Sequence, residues 1–554
     1  MRILRRVTQL AFLLLFLILL IKTDYAGTNQ IPYPVKLFLD LDPLALLAVL
    51  LPSRGLPSGF PAALFGSVLL LALTLVGGRF FCGWICPLGS LHHLCSLRRG
   101  GPTVEQRRQG AKGQGGKSSQ AQPPQERRRT EALPLQGAKA SNSTSGQSFK
   151  VYLLVGLLVA AAFSLQLLGL LDPFSLLIRS LSVGLLPALN YALHSLFSFL
   201  YETTGGAPQQ ASELLYSWLK ARFLSFHQPY FQQSLFLSLV LLTLLYLNRV
   251  RPRFWCRLLC PLGALLSLLS RFSLWQLQAD ERCNGCSQCL KDCQGGARPY
   301  PAVEWRRGEC LLCLNCQESC PRQALHFGLT WPWRHPTQGL DLQRRHLLIS
   351  ALAGLSLPAL VRPSLAARLP QPQLIRPPGS LPEREFLNRC IRCGECLKVC
   401  LTNGLQPTLW EAGAEGIWTP RLVSKMGYCE YSCTLCGQVC PTGAIRELKE
   451  EEKARVVIGL AFIDPGRCLP YAFGIECIVC EEHCPTPKKA IYFELKAVSS
   501  GRGGPPRPIK MPRVDPKLCI GCGICEHKCP VADRSAITIT SVGESRNPEN
   551  QLFL

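Results

Sequence analysis

Six close cysteine quartets account for 24 of the chain's 29 cysteines. Cys283, Cys286, Cys289 and Cys293 follow C-x2-C-x2-C-x3-C, as do Cys310, Cys313, Cys316 and Cys320, the second set running into Pro321. The pattern returns at Cys390, Cys393, Cys396 and Cys400, and at Cys519, Cys522, Cys525 and Cys529. Cys429, Cys433, Cys436 and Cys440 carry one extra residue in the first gap, and Cys468, Cys477, Cys480 and Cys484 widen that gap to eight. In the bacterial two-cluster ferredoxin pattern, three closely spaced thiolates hold one iron-sulfur cube, while the fourth, followed by proline, reaches the other cube. The ligand sets expected from the first two quartets are therefore Cys283, Cys286 and Cys289 with Cys320, and Cys310, Cys313 and Cys316 with Cys293. For the other four quartets two pairings stay open: neighbours exchange fourth cysteines, or the first pairs with the fourth and the second with the third.

Structural zinc sites set two close pairs apart by a longer loop, and repeated C-x2-C-x2-C runs cannot satisfy disulfide geometry. No C-x-x-C-H occurs, so covalent haem is not indicated. Six [4Fe-4S] clusters, with iron held by these cysteines, are the expectation.

Four further cysteines form two C-x3-C-P motifs, Cys82 with Cys86 and Cys256 with Cys260. Spacing of i,i+4 puts both thiols of a pair on one helix face. If the motifs come together, they make a seventh metal site, a thiol site or a contact for quinol; the bland alternative is small buried side chains at packed helix ends. Cys95 lacks a counterpart and reads as a plain thiol. His92 and His93 also lack counterparts, and read as surface histidines.

The elements that must position these groups are apolar. Met1 to Lys22 places Arg2, Arg5 and Arg6 before LAFLLLFLILLI, an uncleaved span with its basic end in the cytoplasm. Phe60 to Gly78 returns and ends in FFCGWICPLGSL; Phe149 to Leu171 leaves again, and Gln232 to Leu247 returns to FWCRLLCPLGAL. The matching motifs, and matching LDLDPLALL and LLDPFSLL segments around Asp42 and Asp172, indicate an internal duplication with function at the repeat interface. Each aspartate precedes proline and reads as a helix N-cap; a part in quinol deprotonation or proton exit is the functional alternative. Arg344 to Val361 is a fifth, short span whose QRRHLLIS opening fits a signal for folded cargo.

The expected fold class is multidomain: an α-helical membrane domain of duplicated two-span repeats plus α+β bacterial-ferredoxin-like [4Fe-4S] domains. The repeats occupy residues 1–98 and 149–275, joined by a basic, disordered linker at 99–148. A cytoplasmic two-cluster ferredoxin (276–340), the fifth span (341–362), a Pro-rich linker (363–382) and a four-cluster ferredoxin outside the membrane (383–554) follow.

The net charge of +24 counts every thiol as neutral; six clusters, each of charge minus two with its four thiolates, would lower it to about +12. Between Arg98 and Lys150, 11 Lys and Arg face 3 Glu. Beside membrane spans such a loop suits positive-inside orientation and anionic lipid. No stacking-aromatic pattern accompanies it, which argues against nucleic acid as a partner.

The residues CGWICPLG and CRLLCPLG, with two cluster motifs after them, resemble the NapH type of membrane ferredoxin, which accompanies periplasmic nitrate reductases. The last part, opening LIRPPGSLPEREFLNRCIRCGECLKVC, resembles the exported four-cluster ferredoxin of the NapG or MauM type. The chain departs from both in fusing them, which makes the exported partner's twin-arginine signal internal. The resemblance implies a polyferredoxin of the bacterial cytoplasmic membrane, with five spans, a cytoplasmic N-terminus and a periplasmic C-terminal ferredoxin. It further implies electron relay between the quinol pool and a periplasmic reductase or cytochrome. The alternatives are a maturation or repair reductase for a metalloenzyme, working through Cys82, Cys86, Cys256 and Cys260, and a membrane-tethered cluster scaffold. Ser364, Leu365 and Ala366 form a passable cleavage site after the fifth span.

Overall fold

The computed structural model describes the chain except residues 1, 26, 54–60, 97–144, 204–205, 226–227, 284–285, 287, 300–304, 332–341, 363–371, 501–503 and 552–554. Most of the basic linker, and the cleavage site at residues 364–366, lie outside the described residues. Contacts divide the chain into two units. One comprises Met1–Gln9, Leu73–Tyr152 and Leu245–Arg344; the other comprises Leu10–Ala72, Leu153–Leu244 and Arg345–Leu554. The divisions fall inside helices Arg2–Lys22, Pro61–Gly77, Ser145–Ala162 and Ser234–Tyr246, and at the start of Arg344–Val361.

In the first unit, each C-x3-C-P motif forms a helix, a two-residue break and a second helix: Phe80–Trp84 then Pro87–Ser96, and Phe254–Leu258 then Pro261–Leu269. Proline causes the break, because it can begin a helix but cannot continue one. A small ferredoxin module follows. Strands Trp275–Ala279 and Leu325–Leu329 pair antiparallel and bracket the first two quartets. Leu277, Cys289, Ala297, Trp305, Cys316 and Leu325 form their buried core.

The second unit repeats this closure twice. A bridge between Ser380 and Ile445 brackets the third and fourth quartets, and strands Leu460–Ile463 and Ile537–Thr540 bracket the fifth and sixth. A long hairpin, Ile491–Ser500 with Gly504–Val514, fills the interval before Cys519. One apolar core runs through Phe386, Leu397, Leu435, Val439, Leu460 and Ile537, and includes Val183 and Leu237 from the helical segments of the same unit.

Two expectations change. The helix expected to run to Leu171 ends at Ala162: Ser164 adopts a left-handed φ of 67°, and the Gln166 side chain accepts the Leu168 amide at 2.9 Å to open a separate short helix. Residues Pro173–Thr203, read from sequence as an outside segment, form one long helix with a π-turn at Ser180–Leu185. Ser180, Ser182 and Asn190 interrupt its apolar run and hid its length. It and Ile3–Lys22 are the two helices among the described residues that are long and apolar enough to cross a membrane; other apolar helices are shorter.

Candidate iron-sulfur and thiol sites

Three cavities in the second unit settle how its thiols group. Cys390, Cys393 and Cys396 line one together with Cys440; Cys429, Cys433 and Cys436 line another with Cys400; Cys468, Cys477 and Cys480 line a third with Cys529. Cys519, Cys522 and Cys525 complete the series through their electrostatic interaction with Cys484. Neighbouring quartets thus exchange fourth cysteines, and the pairing of first with fourth is overturned. In the first unit Cys310, Cys313 and Cys316 line a cavity with Cys293, while Cys289 interacts with Cys283, Cys286 and Cys320.

These surroundings fit a cube. Burial, then the neighbouring Cys286, pushes the Cys289 thiol up to about 11; burial, then Cys477 and Cys468, pushes Cys480 up to about 12. Thiols so crowded ionise together only when a cation shares the cavity, and iron supplies that charge. The loops are shaped for it as well. Leu312, Leu314 and Arg392 have left-handed φ values of 46°, 58° and 59°, matching Gly394, Gly521 and Gly523 at the same positions between cysteines. Alternating right- and left-handed residues turn successive amides toward one anion. Non-glycine residues hold that conformation at a cost of about 1–3 kcal/mol each, so the enclosed loop must over-determine it. The fourth sulfurs also accept amides: Ala297 donates to Cys293 Sγ at 3.2 Å, and Ala324, Ile445 and Ala536 donate to Cys320, Cys440 and Cys529 at 3.4 Å.

The two C-x3-C-P motifs come together. Cys82, Cys86, Cys256 and Cys260 are each 5–7% exposed, unbridged, and within electrostatic reach of one another. Two arginines cross between the motifs in reciprocal fashion. Arg253, three residues before Cys256, donates to the Cys82 carbonyl at 2.8 Å, and Arg79, three before Cys82, reaches the Cys256 carbonyl at 3.5 Å. Cys260 caps the helix that Pro261 begins, its sulfur accepting the Gly263 amide at 3.2 Å. Sequence reading found the thiols and missed the arginines; the repeated R-x2-C-x3-C-P spacing was the available signal.

Glu309, 1% exposed, binds Arg79 at 3.0 Å, Lys150 at 2.5 Å and the Ser267 hydroxyl at 3.2 Å. It precedes Cys310, so the cluster loop is tied to both motifs. The contact is close at Gly83, where a Cβ would lie 2.2 Å from the Leu311 carbonyl oxygen. His92 and His93 are 0% and 3% exposed, which corrects their reading as surface residues. His92 Nδ1 meets Asn248 at 2.6 Å and His93 Nδ1 meets Gln294 at 3.0 Å, so helix packing encloses both. Cys95 is exposed.

In the second unit Asp42 and Asp172 are N-caps as expected, accepting the amides of Leu44 at 2.9 Å and Ser175 at 2.7 Å. Both are almost fully buried, and their carboxyl groups engage each other. The loop from Cys390 packs beside them. A Cβ on Gly169 would lie 2.3 Å from the Ile391 carbonyl oxygen, and Arg179 donates to the Arg392 carbonyl at 2.7 Å while stacking on Trp418 at 4.3 Å.

Paired thiol quartets in ferredoxin-type loops define an iron-sulfur electron-transfer protein. The model of a 4Fe-4S dicluster domain matches residues 389–444, that of a 4Fe-4S binding domain matches 512–532, and another 4Fe-4S binding domain model matches twice, at 60–103 and 231–277. The methylamine utilization ferredoxin-type protein MauM of Methylorubrum extorquens is 34% identical over 36% of this chain and 88% of its own length. The ferredoxin-type proteins NapG and NapF of Escherichia coli are each 35% identical over 30% of the chain, covering 69% and 83% of their lengths. The chain belongs to the MauM/NapG family of ferredoxin-type proteins. No solved structure matches it.

Proposed function

We propose that the chain carries electrons between quinol in the bacterial cytoplasmic membrane and a redox partner outside it, such as a periplasmic reductase or cytochrome. Six [4Fe-4S] clusters would occupy the six thiol sets and supply one-electron transfer, with potentials set by amide-to-sulfur hydrogen bonds and burial. The observation that carries this reading is that cluster loops in both units pack directly on the ends of apolar helices, at Gly83 and at Gly169.

In this reading the N-terminus is cytoplasmic, the duplicated two-span repeats form the membrane domain, and Arg344–Val361 is the fifth span, leading to an outer four-cluster ferredoxin. Arg2, Arg5 and Arg6 at the start of the first apolar helix support the orientation. Burial of the four C-x3-C-P thiols speaks against the maturation-reductase alternative, because exchange with another protein's disulfide needs access.

Reconstituted into liposomes, the anaerobic protein should reduce its outer clusters at a steady rate when given a quinol, followed by the loss of visible absorbance. Intact clusters that stay oxidised with quinols spanning a range of potentials would sink the conduit. A topology reporter after Leu554 that works only on the cytoplasmic side would sink the orientation.

A further inference from the structure

The fifth quartet departs from its neighbours in spacing, and also in what its loop shows to solvent. Between first and third cysteines, residues 390–396 and 519–525 include no exposed side chain, and residues 429–436 include only Ser432. In the loop 468–480, by contrast, Phe473 is 66% exposed, Ile475 53% and Ile478 44%. The widened gap thus places three large apolar side chains beside a cluster ligand.

The loop is braced in that form. Leu469–Phe473 wind into a π-turn, whose Tyr471 hydroxyl donates to the Pro512 carbonyl at 2.9 Å, and Gly474 ends the turn with a left-handed φ of 62°. The hairpin backs it: a Cβ on Gly474 would lie 3.4 Å from Val498 and 3.6 Å from Ile509. Apolar side chains held together against water mark a surface that another molecule covers.

Charge indicates which molecule. From residue 469 to 483 the chain has Glu476, Glu481 and Glu482 and no lysine or arginine, although its net charge is +24. Arg467, before the loop, donates to the carbonyls of Ala532 and Arg534, and Lys489, after it, donates to those of Glu481 and Glu482. Three carboxylates therefore outnumber the one cation folded against them. An oxidised [4Fe-4S] cluster on Cys468, Cys477, Cys480 and Cys529 would add about two further negative charges. That sign repels anionic lipid and favours a protein that carries cations.

We propose that Phe473, Ile475 and Ile478, rimmed by Glu476, Glu481 and Glu482, form the docking surface for a soluble redox protein with lysines or arginines around its own cofactor edge. One electron leaves the adjoining cluster as it is oxidised and enters the partner's cofactor as it is reduced, with no bond broken. The proposal rests on the electron-transfer reading above and names the partner's chemistry, but its test starts from dithionite rather than quinol.

The full chain in detergent, reduced anaerobically with dithionite and desalted, is mixed in stopped flow with a basic c-type cytochrome or with ferricyanide. Phe473→Ser with Ile475→Ser, and Glu476→Gln with Glu482→Gln, should each slow cytochrome reduction about tenfold at low salt. Both should leave cluster absorbance and ferricyanide reduction unchanged, and the effect of the glutamate variant should fade at high salt. Leu409→Ser with Trp410→Ser, which removes exposed apolar side chains elsewhere in the same unit, should change neither reaction. With benzoylphenylalanine in place of Phe473, illumination should join the chain to the cytochrome. Cytochrome reduction unaltered by both loop variants, slowing shared by ferricyanide or by the Leu409 and Trp410 variant, or cross-linking to lipid or to a second copy of the chain instead would each overturn the proposal. Quinol inactivity alongside a slowed cytochrome reaction would sink the conduit and leave the docking surface standing.

Discussion

Two cluster loops meet apolar helices in this molecule by the same device and at different chemistry. In one unit, the residue after Cys310 lies against Gly83, beside four thiols and their arginines; in the other, the residue after Cys390 lies against Gly169, beside a pair of carboxyl groups. In both, a helix lacks a side chain where the cluster backbone must approach. The first surroundings suit electrons, since thiolates and cations stabilise a redox centre. The second surroundings bring two buried carboxyl groups, Asp42 and Asp172, close together.

A second parallel separates the units by burial. Glu309 lies between Arg79 and Lys150 at 1% exposure, whereas the Glu383 side chain, between Arg376 and Arg546, is 35% exposed. The largest expected effect is therefore at Glu309. Glu309→Ala leaves two buried cations facing each other and should cost about 3–5 kcal/mol, the range for breaking a buried pair. Denaturant midpoints of the anaerobic protein would measure it, and a loss under 1 kcal/mol would show that the carboxylate does not hold that loop. Next come the glycines. Gly83→Val and Gly169→Val place carbon in contact with backbone carbonyls that cannot yield, at about 1–3 kcal/mol each by overpacking. Gly83→Val should also slow electron arrival at the Cys310 loop, read by stopped-flow absorbance, while Gly169→Val should slow arrival at the Cys390 loop and spare the first.

Much of this comparison was legible in the sequence. The thiol sets followed from spacing, because cluster loops are local and each ligand constrains the next. Both aspartates announced themselves as N-caps by the proline after each. What could not be read was anything depending on distant chain meeting distant chain. The choice between the two pairings left open for Cys400 and Cys440, the crossing of Arg79 and Arg253 between motifs, and the burial of His92 against Asn248 are of this kind. The Pro173–Thr203 helix was missed for another reason: Ser180, Ser182 and Asn190 face a buried interior, so polarity there does not signal a loop.

The carboxyl pair gives a smaller and more selective effect. Asn is as good an N-cap as Asp, so Asp172→Asn should keep the fold while removing one acid from the pair. If the pair passes protons, quinol-driven reduction should fall about 10- to 100-fold, within the usual range for a positioned acid or base, while reduction by dithionite is unaffected. Equal rates with quinol would leave both residues as caps alone and remove the contrast between the two cluster loops.

The smallest effect belongs to Glu383, and its pH dependence sharpens the contrast with Glu309. Arg376 at 2.5 Å and Arg546 at 2.7 Å outweigh the opposing effect of burial and hold its carboxyl down to about 2. A depressed carboxylate stabilises the fold fully above its unfolded value near 4.5 and loses that contribution as pH falls toward 2. Partial exposure screens the pairing, so Glu383→Gln should cost only about 1–2 kcal/mol at pH 7. That gap should stay constant from pH 8 to about pH 5 and narrow below pH 4. The charge pair joins the start of helix Glu383–Arg389 to Arg376 before it and to Arg546 near the end of the chain. A difference that persisted undiminished at the lowest pH would mean that Glu383 acts through packing, and that only the buried acid beside Cys310 works by charge.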